Sequence, residues 1–242
     1  MKLLLIRHGD PDYEADSLTE RGHTEAKLLA ERLSAMDIKN YYTSPLGRAR
    51  KTAEYTLNKA GKTAEVLDWA IEFFEAQIDD GHGGKRIAWD MLPESWTKVP
   101  EYYDKEKWLD VQVMRDAEMS SFIARVHNGL DSLLERHGYR REGSLYRAVR
   151  PNEDAVALFC HFGVSCVMLS HLLGVSPMVL WHGTIAAPTS VTTLVTEERR
   201  EGTASFRMTS FGDISHLYKY GQPPAFAGRF CEMFSNTEQR HD

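Results

Sequence analysis

Two histidines in this 242-residue chain lie at the ends of short apolar segments, and both are candidates for chemistry at the end of a strand. His8 follows residues 2–6 and lies in Arg7-His8-Gly9, and His161 follows residues 155–160. A continuous apolar run is typical of a parallel strand that is covered on both faces. Ligands bind at the carboxyl ends of such strands in open α/β sheets. We therefore expect the two imidazoles to meet at one edge of a sheet.

Two arginines lie where they could bind an anion beside these histidines. Arg7 is the neighbour of His8, and a guanidinium is a planar donor fork that matches phosphate oxygens. Arg48 follows Ser44-Pro45, which the sequence predicts as the N-cap and first position of a helix. The first turn of a helix already favours an anion through its free N–H groups and its dipole. Each motif is short, so a structural histidine and a solvated arginine remain the alternative.

The elements that must position these residues alternate between strands and helices. Further strands are expected at residues 41–43, 64–67, 189–196 and 204–211. Apolar stripes predict a helix through Leu29 and Leu33 that is capped by Thr19, and a longer one over residues 119–134. A further helix over about residues 164–173 is expected to end at Gly174. This order predicts an α/β fold, a three-layer αβα sandwich with a mainly parallel central sheet. We expect residues 1–242 to form a single domain.

Residues about 77–150 are predicted to contain an insertion or lid over the site. This segment has a glycine-rich stretch with His82, followed by an aromatic-rich region that includes Trp89 and Trp96. A small satellite apolar cluster is the alternative explanation of these aromatic residues. Residues 138–151 are predicted to be a basic linker, and the tail beyond Gln222 is expected to be peripheral.

Composition excludes several other classes of protein. The net charge of −6 argues against broad electrostatic binding to nucleic acid. The three cysteines fit neither a disulfide framework nor a zinc ribbon, so we expect a reduced, cytoplasmic setting. The N-terminal apolar run is too short for a signal peptide, and no stretch reaches the length of a membrane span. Cys160 and His161 are neighbours on one strand and point to opposite faces, so they cannot form a catalytic pair.

Several motifs in the chain, taken in order, resemble those of the histidine phosphatase superfamily, also called the phosphoglycerate mutase-like family. They are Arg7-His8-Gly9, Leu18-Thr19-Glu20-Arg21-Gly22, Ser44-Pro45-Leu46-Gly47-Arg48-Ala49-Arg50-Lys51-Thr52-Ala53, Cys160-His161-Phe162-Gly163 and His216-Leu217. The fourth departs from the Ser-His-Gly pattern of the family, and the loop after Gly9 also departs from it. The resemblance covers roughly residues 3–217. The first four motifs, matched in order, are far more specific than any one alone, and His216-Leu217 follows them near the C-terminus.

The resemblance implies a role for each residue. His8 would be the catalytic nucleophile that carries the phosphoryl group. Arg7, Arg48 and His161 would bind the phosphate together with His8, so that no metal and no cofactor is needed. The proton donor to the leaving group would be a glutamate after the third strand, for which Glu72 fits better than Glu75. Asp10 is a further candidate for this role.

These roles predict a metal-independent phosphomonoesterase that acts on a small phosphorylated metabolite through a phosphohistidine intermediate. A mutase of the phosphoglycerate type is an alternative. A metal-dependent phosphohydrolase with ligands His8, Asp10, Asp12 and His161 is another, although adjacent arginines would repel the metal. A binding module without catalysis is a third. His182 is a weaker site candidate. The relatives suggest a homodimer, and neither nucleic acid nor membrane is expected as a partner.

Overall fold

The computed structural model describes residues 1–80 and 83–241, so His82 lies outside the described residues. The strands are β1 (Lys2–Arg7), β2 (Pro11–Asp12), β3 (Ser17–Leu18), β4 (Ile38–Thr43), β5 (Glu65–Val66), β6 (Gln77–Asp79), β7 (Lys85–Ile87), β8 (Tyr139–Glu142), β9 (Leu145–Ala148), β10 (Ala155–Cys160), β11 (Val191–Arg200) and β12 (Thr203–Asp213). The α-helices are α1 (Glu20–Leu33), α2 (Gly47–Ala60), α3 (Pro93–Trp96), α4 (Gln112–Asp116), α5 (Met119–Arg136), α6 (Phe162–Leu173), α7 (Pro177–Gly183) and α8 (Ser215–Lys219).

Eight strands form one sheet in the order β5-β4-β10-β1-β11-β12-β9-β8. The half that carries both histidines is parallel, because β5, β4, β10 and β1 pair in parallel. Antiparallel pairing of β11, β12, β9 and β8 extends it, so that only β11 and β9 run against the direction of β1. The predicted α/β class with a mainly parallel central sheet is confirmed.

Alternate side chains of the central strands enter two different cores. Leu3 and Leu5 of β1 pack with residues of α5 and α6 in the larger core. Leu4 and Ile6 pack with Leu29 of α1 in the smaller one, which also contains Ala53 of α2. The period of two along a strand is what separates the faces. Helices therefore cover both faces of the sheet, as the sequence predicts. No helix within the described ranges is both long and apolar enough to cross a membrane.

The sequence predicts three helix boundaries near the site, and the structure confirms two of them. Thr19 caps α1 and its hydroxyl accepts a hydrogen bond from the N–H of Gly22. Gly174 ends α6 in the left-handed conformation. The predicted start at Ser44 is wrong, because α2 begins at Gly47. The N–H of Ser44 still belongs to the sheet, where it donates to the carbonyl of Phe159 at 2.8 Å. Arg48 nevertheless lies in the first turn of α2, as expected.

Two further expectations about the chain are wrong. The segment predicted as a basic linker is instead the hairpin β8–β9, which completes the edge of the main sheet. Its alternate residues Tyr139 and Tyr146 are buried, whereas the arginines between them remain at the surface. The tail beyond Gln222 is not peripheral, since the carbonyl of Ala227 accepts a hydrogen bond from Arg7. Buried aromatic rings and a buried guanidinium thus outweigh the polar character of these segments.

Candidate active site

The two strand-end histidines lie together, as the sequence predicts. Strands β1 and β10 are adjacent and parallel, and the N–H of His8 donates to the carbonyl of Cys160 at 3.0 Å. The ring centroids of His8 and His161 are 5.1 Å apart. Both side chains are buried, with 3% and 1% of their surface exposed. The parallel register therefore brings two residues 153 positions apart to one point of the sheet edge.

The protonation of His8 is set by one hydrogen bond. Its Nδ1 lies 2.7 Å from the carbonyl oxygen of Gly9. A carbonyl only accepts, so Nδ1 must carry the proton and Nε2 keeps its lone pair. Burial and the neighbouring Arg7 hold the pKa of His8 well below its ordinary value. His8 is therefore a neutral imidazole with a free nucleophilic nitrogen.

His161 has a different set of contacts. Its Nε2 lies 2.7 Å from Oγ of Ser44, the residue that the sequence predicts as a helix cap. Its Nδ1 is buried and has no hydrogen-bond partner among the described residues. Burial and the nearby His8 and Arg48 lower the pKa of His161 well below its usual range. Nδ1 is thus the ring nitrogen that remains for a ligand.

Arg48 is oriented by an aspartate that sequence reasoning missed. Asp16 accepts from Nη1 of Arg48 and from the N–H of Gly47, both at 2.6 Å. Gly47 permits this approach, because a Cβ there would lie 2.2 Å from the carbonyl oxygen of Asp16. In the sequence, Asp16 is one of three aspartates between residues 10 and 16. That composition was the one available signal, and it did not distinguish Asp16 from its neighbours.

The guanidinium groups of Arg7 and Arg48 are buried and keep donors free. Nη1 of Arg7 donates to the carbonyls of Ala186 at 2.5 Å and Ala227 at 3.3 Å. Within the described part of the chain, Nε of Arg7 and Nε and Nη2 of Arg48 are buried without a hydrogen-bond partner. Unpaired buried donors are costly, and a phosphate oxygen is the acceptor that guanidinium groups match best. The arrangement can therefore bind a phosphoryl group beside His8.

Glu72 is also brought to the site, and it lies at the N-terminus of α6. Its Oε2 accepts from the N–H of Gly163 at 2.9 Å, and its Oε1 accepts from the N–H of Val164 at 2.8 Å. The side chain is buried. Burial raises the pKa of Glu72 to about 7, although the two N–H donors and the arginines act in the opposite direction. A carboxyl group with this pKa can give and take a proton near neutral pH.

The other acid candidates are less well placed. Glu75 is exposed to solvent. Asp10 accepts from the hydroxyl of Thr19 at 2.7 Å, which ties it to the start of α1. Neither side chain lines the cavity that contains His8.

A cavity of ≈ 530 Å³ opens above the histidines. Its floor contains Arg7, His8, Arg48 and Glu72, and the ring of His161 adjoins that of His8. The aromatic residues of its wall are Tyr13, Phe74, Trp89, Trp96, Phe162, Trp181 and Phe230. His182 lies beside them and stacks on Trp96, with ring centroids 5.0 Å apart. The described part of segment 77–150 thus contributes to the wall through the region around Trp89.

Comparison with curated proteins gives partial matches to mutases and a phosphatase. The chain is 30% identical over 118 residues to a 2,3-bisphosphoglycerate-dependent phosphoglycerate mutase of Thermoplasma acidophilum, covering 40% of this chain and 59% of the relative. It is 28% identical over 146 residues to a probable phosphoglycerate mutase of Serratia proteamaculans, covering 55% and 63%. It is 26% identical over 171 residues to phosphoserine phosphatase 1 of Hydrogenobacter thermophilus, covering 66% and 75%. The chain thus spans less than two thirds of the length of the two mutases.

Solved structures share the fold at lower sequence identity. A mutant phosphoserine phosphatase from Entamoeba histolytica in complex with phosphoserine has a TM-score of 0.59 and 19% identity, covering 89% of this chain and 98% of the other. The alpha-ribazole phosphatase from Shigella flexneri has a TM-score of 0.56 and 17% identity, covering 88% and 97%. The family model of the histidine phosphatase superfamily (branch 1) matches residues 3–208. The chain belongs to the histidine phosphatase superfamily.

Proposed function

We propose that the protein hydrolyses phosphomonoesters through a phosphohistidine formed on His8, without a metal ion. The observation that carries the proposal is Nε2 of His8 with its lone pair, beside buried guanidinium donors of Arg7 and Arg48 that have no partner in the described part of the chain. A neutral nucleophile surrounded by cationic donors is what attack on an anionic phosphate ester requires. The substrate in this proposal is a small phosphorylated metabolite, and membership of the histidine phosphatase superfamily supports a phosphorylated substrate.

In the first step, Nε2 of His8 forms a bond to phosphorus as the bond to the ester oxygen breaks. Arg7, Arg48 and Nδ1 of His161 bind the equatorial oxygens, where charge is spread in the transition state. The protonated carboxyl of Glu72 gives its proton to the departing alkoxide, so an alcohol leaves. In the second step, a water molecule attacks phosphorus through its oxygen, and the Glu72 carboxylate takes a proton from that water. The N–P bond breaks as the new P–O bond forms, so that inorganic phosphate is released and free His8 is restored.

A phosphoglycerate mutase is the second candidate function, because two of the relatives carry that description. A mutase would pass the phosphoryl group from His8 to a second hydroxyl instead of water. The two reactions are distinguished by incubation with 3-phosphoglycerate. Release of inorganic phosphate supports the hydrolase, whereas formation of the 2-phosphate isomer supports the mutase.

A metal-dependent phosphohydrolase would need Asp10 and Asp12 as ligands beside His8. Both aspartates are engaged elsewhere, since Asp12 accepts from the N–H groups of Glu14 and Ala15 at 3.1 Å and Asp10 binds Thr19. Within residues 1–80 and 83–241, no group of three or more potential ligands is arranged to hold a metal ion. We expect full activity in excess EDTA, and a loss that added divalent metal restores would support the alternative.

The proposed nucleophile is tested by His8→Ala with an aryl phosphate as substrate. We expect activity to fall by about four orders of magnitude or more, as for loss of a catalytic nucleophile. His23→Ala is the matched control, because His23 lies on α1 and contacts Tyr55 outside the cavity. Rapid quench of the wild type should trap a phosphoenzyme that is labile to acid and stable to base. Activity near wild type in His8→Ala would remove His8 as the nucleophile.

The cytoplasmic location, the homodimer and the lack of nucleic acid binding expected from the sequence stay predictions. Size-exclusion chromatography with light scattering tests the homodimer directly.

A further inference from the structure

The lining of the cavity above His8 has two chemically different parts. Its floor holds the cationic donors of Arg7 and Arg48, which the proposed function assigns to the phosphoryl group. The rest of the lining is mainly apolar and aromatic. Phe162 lies against the guanidinium of Arg7, and Tyr13 and Phe74 lie against that of Arg48, so these three rings border the floor. The apolar residues that accompany the seven aromatic rings are Ile87, Met91, Leu92, Pro93 and Ile185. The part of the substrate that departs as an alcohol must lie against this wall.

The outer cavity offers few cationic side chains to a second anionic group. His182 lines it, but its Nδ1 donates to the carbonyl of Met178 at 2.8 Å and burial lowers the pKa of the ring, so it is neutral. Among the described residues that line it, Arg240 is the one arginine or lysine besides Arg7 and Arg48. Its guanidinium is bound to the carboxylate of Asp90 and lies over the ring of Phe230, 4.4 Å from the centroid. The carboxylate of a phosphoglycerate or phosphoserine molecule would therefore lose its hydration without gaining an unpaired cation, which is unfavourable.

The size of the cavity also exceeds what a three-carbon metabolite fills. A cavity of about 150 Å³ lined by apolar residues accommodates benzene. The ≈ 530 Å³ above His8 therefore has room for a phosphoryl group and an aromatic ring with a linker. Apolar surface that enters such a wall is removed from water, and this contributes to binding.

The C-terminal tail supplies part of this wall and is held at several points. Nη1 of Arg7 donates to the carbonyl of Ala227, and Nη2 of Arg21 donates to the carbonyl of Pro223 at 2.5 Å. The N–H of Cys231 donates to the carbonyl of Arg240 at 2.6 Å, which joins the two lining parts of the tail. Phe230 is thereby fixed at the wall, where it can contact the leaving group.

We propose that the substrate is a phosphomonoester of a bulky, uncharged alcohol with an aromatic or otherwise apolar body, selected by the wall that Trp96 and Phe230 help to form. This proposal rests on the proposed function, because it assumes that the phosphoryl group binds at His8. It differs from that function in naming the class of leaving group. It also makes Phe230, in the tail, a residue that determines specificity.

The test compares three primary alkyl phosphates, whose leaving alcohols have similar acidity. They are 3-phenylpropyl phosphate, glycerol 3-phosphate and 3-phosphoglycerate. Since one methylene in an apolar pocket changes kcat/KM about 10-fold or more, we expect 3-phenylpropyl phosphate to exceed both others by about 10- to 100-fold. Hydrolysis of all three with equal kcat/KM, or with a preference for 3-phosphoglycerate, would overturn this inference and leave the proposed function intact. No hydrolysis of any ester, nor of an aryl phosphate, would overturn both.

Two variants locate the preference in the wall. Phe230→Ala and Trp96→Ala should each lower kcat/KM for 3-phenylpropyl phosphate by about 10-fold and leave glycerol 3-phosphate within about 2-fold. Phe234→Ala is the matched control, because Phe234 belongs to the same tail and is 90% exposed. Unchanged preference in both wall variants would show that the wall does not select the leaving group.

Discussion

Replacing Glu72 by glutamine tests the proposed proton donor with little change in size. Both carboxyl oxygens of Glu72 accept backbone N–H groups, from Gly163 and Val164. Glutamine has one carbonyl oxygen, so its NH2 group would face one of these donors and lose that hydrogen bond. More importantly, the amide cannot give a proton to a departing alkoxide.

The size of the loss should depend on the leaving group. General acid catalysis contributes about 10²- to 10⁴-fold, so we expect Glu72→Gln to lower kcat/KM for an alkyl phosphate by that amount. A nitrophenyl ester leaves as a stabilised phenolate and needs little protonation. For that ester the loss should stay below about 10-fold.

The pH dependence gives a second, independent readout of the same group. Burial raises the pKa of Glu72 to about 7, so its acid form disappears above that pH. In the wild type, kcat/KM for the alkyl ester should therefore fall as the pH rises through about 7. This limb should be absent in Glu72→Gln. Steady-state kinetics between about pH 5 and 9 with both esters measure it.

The same shift links stability to pH. The unfolded carboxyl loses its proton near 4.5 and the folded one near 7, so the native state binds more protons between these values. The stability of the wild type should therefore fall by about 3 kcal/mol as the pH rises across this window. Urea unfolding of Glu72→Gln should show a smaller dependence of stability on pH.

In the kinetic test, equal losses of activity for both esters, with the alkaline limb of the pH profile retained, would refute the role of Glu72 as the proton donor.

Two further substitutions test how the site is held. Gly163→Ala places a Cβ 2.8 Å from Oε1 of Glu72 and 3.0 Å from the ring of Trp89. We therefore expect the protein to lose about 1–3 kcal/mol of stability, measured by urea unfolding, and kcat to fall. Wild-type values for both would contradict the close packing of α6 on Glu72. Asp16→Ala removes the carboxylate that accepts a hydrogen bond from Arg48. We expect KM for an aryl phosphate to rise about 10-fold, with kcat less affected. An unchanged KM would mean that Arg48 binds phosphate equally well without Asp16.

Much of the fold and the core of the site could be predicted from the sequence. The apolar runs before His8 and His161 indicated β1 and β10, and the rule for the carboxyl ends of parallel strands predicted their proximity. Thr19 and Gly174 marked helix ends through cap chemistry that acts over a few residues. These signals succeed because strand period, helix period and caps depend on near neighbours along the chain.

The position of Glu72 could not be predicted from the sequence in this way. Its match to the family motif was loose, and a solvated surface glutamate was the alternative interpretation. Its position against the N–H groups of Gly163 and Val164 follows from how the segment before β6 packs on α6. That packing joins residues about ninety positions apart and leaves no local pattern.

The sequence by itself determined the nucleophile candidate, the two arginines, the second histidine and the layered α/β architecture. Only the tertiary structure decided that Asp16 orients Arg48, that β8–β9 extends the sheet, and that the tail reaches Arg7. The physical reason is that these features arise from contacts between distant segments, chosen by burial of aromatic rings and by the satisfaction of buried charges. Local periodicity carries no information about such partners, because they are set when the layers pack.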